Sequence, residues 1–240
     1  MRNGKSSTTA SFVATMRGLA AYERAPLVTD AYAERLVDGP FRLGLAVARR
    51  APRMTGLAMR AAAILSGGKT RHLELRTRAI DDVLAEEAHA GASQLVILGA
   101  GLDARAWRLP SLEHATVFEV DHPATQRQKR ARLDAEEGAR VHYVAVDFER
   151  DRLNEALPRA GYDVASRATF LWEGVTMYLT EDAVRATLAA VASLAAKDSV
   201  IALTYHAPGL RFEGALARVA VRAIGEPFRL TMPPEPQKSR

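Results

Sequence analysis

Cysteine is absent from the 240-residue sequence. That absence excludes disulfide bonds, zinc sites built on thiolates and a cysteine nucleophile. No run of 18 apolar residues occurs either, so the sequence predicts no membrane-spanning helix. Residues 1–20 are basic, but Ser6, Thr8 and Arg17 interrupt the apolar stretch that a secretory signal requires. We therefore expect a cytoplasmic protein without a membrane partner.

Long runs of like charge are also lacking, since no five consecutive charges share a sign. The formal net charge is +5, and 28 of the 33 basic residues are arginines interleaved with acids along the chain. A protein that neutralises nucleic-acid phosphates usually gathers its basic residues on one face. The pattern instead indicates an arginine-rich, solvated surface, and we expect no nucleic-acid partner.

Before residue 92, apolar residues recur at helical spacing between glycine and proline breaks. Residues 1–68 are therefore predicted to be helical, and a further helix over 74–89 leads into the remaining domain, 69–240. Residues 44–65 combine apolar residues with four arginines. They are open to two interpretations, a helix lying on a membrane surface or a helix covering its own domain. The second is the commoner case, and it is favoured here.

After residue 92, short apolar runs alternate with helical segments. The runs are 94–99, 116–120, 141–146, 169–172 and 200–205, and the helical segments are 123–137, 150–157 and 181–196. This alternation predicts parallel strands joined by right-handed crossovers, which is a doubly wound, Rossmann-like α/β sheet. In such sheets ligands bind beyond the carboxyl ends of the strands.

The first two strands of this sheet each end in a motif that suits a nucleotide. The first runs into GAGLDA, in which Gly99 and Gly101 allow a tight turn and a close approach to a ligand, although an ordinary turn has the same pattern. Asp121 ends the next strand, 20 residues beyond Gly101, where it can accept both hydroxyls of an adenosine ribose. Both motifs fit NAD and S-adenosylmethionine equally well.

The next two loops favour S-adenosylmethionine. Asp147 ends the third strand and Phe148 follows it, so that a carboxylate can accept from the adenine amine while an apolar group packs on the ring. Asp147 can also cap the next helix, and the two roles are compatible. Beyond the fourth strand, Glu173 can pair with the methionine ammonium. Trp172 and Tyr178 either wall a methyl-transfer channel, where aromatic faces attract a sulfonium, or pack in the core.

Five separated motifs resemble those of the bacterial S-adenosylmethionine-dependent O-methyltransferases related to leucine carboxyl methyltransferase. They are RTRAIDD, LVILGAGLDARAWRLP, VFEVDHPATQRQKRARL, AVDFERD and FLWEGVTMYLT. The resemblance runs over about residues 8–230. It implies a class I methyltransferase fold with S-adenosylmethionine as the cofactor, in which residues 1–68 form a helical N-terminal lid. The ligands it implies are Arg76 for the carboxylate, Gly99 and Gly101 for close backbone approach, Asp121 for the ribose, Asp147 and Phe148 for the adenine, and Glu173 for the amino group. Arg76 is preferred to Arg78 because the family's arginine precedes its apolar-Asp pair by four residues, as Arg76 precedes Ile80 and Asp81.

The sequence departs from this family at two places. Ala168 stands where relatives usually carry proline, and the chain stops soon after Pro227, where relatives continue into a final helix and an antiparallel strand pair. We expect those C-terminal strands to be missing. Strand 200–205 would then be an edge that pairs in a homodimer or lowers the stability, unless a helix over 212–224 covers it.

The predicted function is S-adenosylmethionine-dependent O-methylation of a carboxylate or hydroxyl, on a small molecule or a peptide terminus. A carboxylate acceptor is already ionised and needs no general base, whereas a hydroxyl would want one. No catalytic base is identified, His206 is interpreted as structural, and no metal site is expected. The alternatives are an NAD-dependent oxidoreductase and a truncated, non-catalytic S-adenosylmethionine-binding module. A nucleic-acid methyltransferase would carry a proline-rich tetrapeptide after strand four, which is absent here.

Overall fold

The N-terminal part of the chain is helical. The computed structural model describes residues 8–65, 69–133, 140–205 and 230. Four helices come first, α1 (Thr8–Ala20), α2 (Ala33–Leu36), α3 (Gly39–Arg50) and α4 (Pro52–Leu65). The long helix α5 (Lys69–His89), which begins earlier than the sequence predicts, leads into the sheet.

Five strands form one parallel sheet, which confirms the predicted doubly wound fold. The strands are β1 (Gln94–Leu98), β2 (Thr116–Asp121), β3 (Arg140–Ala145), β4 (Ala168–Trp172) and β5 (Val200–Leu203). Their order is β3-β2-β1-β4-β5, and every pairing is parallel. The crossovers carry α6 (Arg105–Arg108), α7 (Pro123–Leu133), α8 (Leu153–Arg159) and α9 (Glu181–Leu194).

The central strands read as continuous apolar runs because both of their faces are buried. Every residue of β1 and β4 is buried, as expected of strands flanked by helices on both sides. Alternate side chains face opposite layers. One layer packs strand residues against α8 and α9, for example Phe118 and Phe170 with Leu157 and Val191. The other layer packs strand residues against α5.

The N-terminal lid packs against the carboxyl side of the sheet domain. Ala14, Leu36 and Leu45 of the lid share one buried cluster with Leu102, which follows β1, and with Leu133 at the end of α7. Helices α3 and α4 differ in how they contribute to this packing. Leu45 and Ala48 of α3 are buried, whereas Met59 is the one buried residue of α4. Residues 44–65 therefore cover their own domain as expected through α3, whereas α4 contacts α1, α3 and α5 but buries only Met59.

Helix α8 begins later than predicted, and α9 ends at Leu194 where the sequence predicts a helix to 196. The helix expected at 150–157 begins at Leu153, because residues 147–151 instead form a turn in which the Asp147 N–H donates to Asp151 Oδ2 at 2.8 Å. The helix expected at 123–137 is described as far as Leu133, and its remaining residues lie outside the described ranges.

Strand β5 is the last strand at one side of the sheet in the part of the chain that the structure describes. His206, the helix expected at 212–224 and the tail after Pro227 lie outside the described residues, so the edge and homodimer expectations stay predictions. Within the described ranges, no helix is both long enough and apolar enough to cross a bilayer.

Glu74 of α5 is a buried carboxyl beside a second acid. Glu74 is only 1% exposed, and its acidic neighbour is Glu23, which lies beyond the end of α1. Burial, followed by the charge of Glu23, raises the pKa of Glu74 to about 7, and Arg71 opposes the shift. In the folded state this carboxyl therefore keeps its proton at pH values where the unfolded chain loses it.

We predict that Glu74→Gln raises the unfolding midpoint at pH 7.5. The folded pKa lies above the ordinary value of 4.5, so the stability that Glu74 contributes falls as pH rises from about 4.5 to about 7. A neutral amide removes that loss, and each 1 kcal/mol gained shifts the midpoint by roughly 2–4 °C. Thermal unfolding monitored by circular dichroism should show the difference shrinking towards pH 5. The exposed Glu113→Gln is the control, and a difference that does not change with pH would contradict the prediction.

Candidate active site

A cavity of about 550 Å³ opens at the carboxyl ends of the strands. Its volume falls in the range of roughly 300–1,000 Å³ that small-molecule and cofactor sites occupy. Loops after β1, β2, β3 and β4 line it, together with α1 and α5. The structure brings all seven residues assigned from the sequence to this one cavity, namely Arg76, Gly99, Gly101, Asp121, Asp147, Phe148 and Glu173.

The loop after β1 can make its turn only with glycine at its tightest point. Gly99 has φ +70°, and a Cβ there would lie 2.4 Å from Cγ2 of Val175. Gly101 has φ +51°, a left-handed conformation that strains other residues. These glycines leave the backbone of the loop as the surface that faces a ligand.

Asp121 ties this loop to the end of β2. Its Oδ2 accepts from the Gly101 N–H at 2.5 Å, and its Oδ1 accepts from the His122 N–H at 2.6 Å. Burial raises the pKa of Asp121, while the two N–H donors oppose that shift. Each carboxylate oxygen has a second lone pair, so Asp121 can still accept from a ribose hydroxyl.

The loop after β3 presents Asp147 and Phe148 to the cavity. Asp147 Oδ1 accepts from the Glu149 N–H at 3.1 Å, which closes a local turn. The N-cap of α8 is Arg152, so the alternative role of Asp147 as a helix cap is wrong. The Phe148 ring lies 6.3 Å from the ring of Trp172, so Phe148 contacts the core on one side and lines the cavity on the other.

Glu173 and Arg76 form an ion pair at the cavity wall. Arg76 Nε donates to Glu173 Oε1 at 2.7 Å, and Arg105 Nη1 lies 2.8 Å from Glu173 Oε2. Burial alone would raise the pKa of Glu173, but the charges of Arg105 and Arg76 outweigh it, and the pKa is lowered. The Nη groups of Arg76 remain as donors for a carboxylate. Arg78 is exposed and pairs with Asp82 at 2.8 Å, outside the cavity lining.

A buried cluster behind this wall was not found from the sequence. Arg105, only 1% exposed, contacts Asp81 Oδ1 through Nε at 2.7 Å and also pairs with Asp103 and Glu173. Arg108 binds both oxygens of the same Asp81, at 2.7 and 2.8 Å. Although burial opposes it, the charge of Arg105 holds the pKa of Asp103 well below its usual range. The only sequence signal was position, because Asp103 and Arg105 directly follow the glycine loop.

Helix α1 of the lid forms the remaining wall. Thr9, Ala10, Val13 and Arg17 line the cavity, and none of them was assigned a site role from the sequence. Arg17 fixes the helix over the glycine loop, because its Nη2 donates to the Leu102 carbonyl at 2.7 Å while its Nε donates to Asp30 at 2.9 Å.

The two aromatic candidates, Trp172 at the end of β4 and Tyr178 beyond it, have different environments in the structure. Tyr178 lines the cavity. Trp172 is fully buried in the core, so it does not wall the channel and the core-packing alternative is correct for it.

A parallel sheet with this strand order, a glycine loop after β1 and an acid at the end of β2 defines a Rossmann-like nucleotide-binding fold. The model of the leucine carboxyl methyltransferase family matches residues 10–192, and the chain belongs to that family. Its cofactor is S-adenosylmethionine, which this family membership favours over a nicotinamide cofactor.

Curated bacterial relatives support the assignment. One from Mycolicibacterium gilvum is 36% identical over 92% of this chain and 71% of its own length. One from Mycobacterium tuberculosis H37Rv is 37% identical over 81% of this chain but only 56% of its own length. The name of each begins "Putative S-adenosyl-L-methionine-dependent methyltransferase". The chain thus spans little more than half the length of the second relative.

A solved structure supports the fold. The crystal structure of a DUF574 family protein from Streptomyces avermitilis aligns with a TM-score of 0.57 and 16% identity. The alignment covers 96% of this chain and 80% of the other, so the likeness includes the helical lid as well as the sheet.

We predict that Asp121→Ala weakens S-adenosylmethionine binding by about one to two decades. The substitution leaves ribose hydroxyls without an acceptor, which costs roughly 1–3 kcal/mol. Isothermal titration calorimetry measures the change, and Asp82→Ala, outside the cavity, is the matched control. Wild-type affinity in Asp121→Ala would remove the assignment of Asp121 to the ribose.

A second prediction concerns the adenine. Asp147→Asn should weaken S-adenosylmethionine and S-adenosylhomocysteine equally, by about two- to tenfold, because both carry the base. Asp151→Asn tests the turn alone, since Asp151 accepts the Asp147 N–H without lining the cavity. An effect on only one of the two ligands, or an equal effect of Asp151→Asn, would contradict a contact between Asp147 and adenine.

Proposed function

We propose that this chain binds S-adenosylmethionine in the cavity and catalyses transfer of its methyl group to an oxygen atom. The acceptor is a carboxylate or a hydroxyl on a small molecule or a peptide terminus. The arrangement of the cavity supports this proposal, since Asp121 and Phe148 suit the nucleoside while Arg76 and Glu173 suit the two charged groups of the methionine moiety.

Two further features fit a polar cofactor. Thr9 and Thr125 line the cavity, and within the described residues their buried hydroxyl oxygens have no hydrogen-bond partner. Buried hydroxyls are normally bonded, so a ligand with matching polar groups would satisfy them.

When bound, S-adenosylmethionine supplies an electrophilic sulfonium methyl. The chain's contribution is to hold the acceptor oxygen in line with it, and positioning of this kind can supply a large part of the acceleration. Helix α1 and Tyr178 close the cavity from the lid and from the β4 loop, and thereby limit how an acceptor can enter.

The residues around the cavity favour a carboxylate as the acceptor. Glu173 is held by two arginines with a lowered pKa, and Asp103 is buried against Arg105, so both are poor proton acceptors. His122 is the one histidine among the described lining residues, and it lies beside Asp121 with its Nδ1 accepting from the Ala124 N–H at 3.2 Å. An ionised carboxylate needs no base. The description of the family as leucine carboxyl methyltransferases agrees with this choice.

We predict that the product is a methyl ester. Methyl-tritiated S-adenosylmethionine would be incubated with panels of carboxylic acids, peptides with free C-termini, and phenols. The label should be transferred to carboxylates, and the rate of this transfer should be independent of pH from 6 to 9 (roughly the range above a carboxyl pKa). Mild alkali should then release the label from the product as methanol. Asp121→Ala is the negative control.

The other outcomes separate the rival functions. An alkali-stable product, with a rate that rises with pH, would identify a hydroxyl acceptor. Binding of S-adenosylmethionine without formation of S-adenosylhomocysteine above background would identify a non-catalytic binding module.

A further inference from the structure

The outer side of the lid carries a row of exposed apolar side chains. We define the α3–α4 face as Leu43, Val47, Met54, Leu57, Ile64 and Leu65, whose exposures range from 55% to 88%. Within α4, residues 54, 57, 61, 64 and 65 follow helical spacing, so they share one side of the helix. A helix on a protein surface usually turns its apolar side to the core. Helix α4 instead exposes an apolar row together with Arg53 and Arg60, and it buries only Met59.

The same segment carries the chain's excess of positive charge. Residues 39–65 contain five arginines and no acid, and Arg42, Arg49, Arg50, Arg53 and Arg60 are all exposed. The formal net charge of the whole chain is +5, so the remaining sequence has equal numbers of acidic and basic residues. One of the five is partly compensated, since Arg49 Nε lies 3.3 Å from Glu34. Arginines are spread over the whole chain, but the chain's net positive charge equals that of residues 39–65 in the lid.

The geometry points to an anionic lipid surface as the partner of the α3–α4 face, and we propose that the lid docks there peripherally. Apolar side chains on one side of a helix enter the boundary between headgroups and acyl chains, while flanking arginines reach lipid phosphates with their long stems. Arg53 and Arg60, seven residues apart, lie along one flank of the α4 row. The sequence-based expectation of no membrane partner rested on the lack of a spanning segment and on the choice of a covering helix for residues 44–65. The exposed apolar row of α4 supports the other interpretation of that segment, a helix on a membrane surface.

Charge argues against a second copy of the chain as the occupant. A two-fold interface brings the same patch of each subunit together. The five arginines of one α3–α4 segment would then face those of the other, and juxtaposed like charges oppose association. A lipid bilayer with anionic headgroups instead complements the charge and accepts a row of side chains without needing a matching groove.

The experiment is co-flotation of the full chain with vesicles. We expect binding to vesicles of equal parts phosphatidylcholine and phosphatidylglycerol, no binding to phosphatidylcholine alone, and a loss of binding as salt is raised. Met54→Glu/Leu57→Glu and Arg53→Glu/Arg60→Glu should each reduce binding by about tenfold or more. Val164→Glu, at a 52% exposed valine outside the lid, is the matched control and should bind as wild type does.

Three outcomes would overturn the proposal. One is failure to float with anionic vesicles. Another is a dimer by light scattering that Leu57→Glu dissociates, which would identify a self-interface. The third is a drop of several degrees in the unfolding midpoint of Met54→Glu/Leu57→Glu, which would show that the rest of the chain covers the face. Calorimetry measures S-adenosylmethionine binding in the absence of vesicles, so the proposed function is tested independently of the membrane proposal.

Discussion

The guanidinium of Arg105 makes the ion pairs on which the site depends. It is buried and contacts carboxylates from three elements, Asp81 of α5, Asp103 after β1 and Glu173 after β4. A buried charge that loses one of its partners typically costs about 3–5 kcal/mol, so the positions of these three elements are coupled. Through Glu173 the coupling reaches Arg76, which lines the cavity. The cavity wall that we assign to the methionine end of the cofactor is thus built from structural ion pairs.

A second buried ion pair supports the end of β2, where Asp121 lies. Lys129 Nζ lies 2.6 and 2.7 Å from the two carboxylate oxygens of Glu119, which stands two residues before Asp121 in β2. Burial nevertheless raises the pKa of Glu119 to about 7. Gln126, from the same helix as Lys129, donates to backbone carbonyls of β2 and β3 at 2.8 Å and ties the two strand ends together. Helix α7 therefore braces the ends of β2 and β3, which carry the residues that we assign to the ribose and the adenine.

The lid presents two surfaces of different character. Inside, α1 lines the cavity and Arg17 binds the backbone of the glycine loop, so the lid completes the site that the sheet begins. Outside, α4 turns apolar side chains and arginines to solvent. The lid can line the cavity and contact a membrane at the same time because α1 carries the first surface and α4 the second.

The sequence by itself determined the alternation of strands and helices, the glycine loop and the acids at the strand ends. Such features are local, because buried parallel strands need continuous apolar runs and a tight turn needs glycine. The family resemblance selected Arg76 over Arg78, and the structure places Arg76 at the cavity. Only the tertiary structure decided that Trp172 is core, that Asp147 closes a turn and does not cap α8, and that Arg105 collects three carboxylates. The Arg105 contacts join residues far apart in the chain, and a charged residue in sequence carries no mark of its burial. The period of α4 likewise predicts an apolar side but not its direction, since helical spacing is the same whether that side meets a core or solvent.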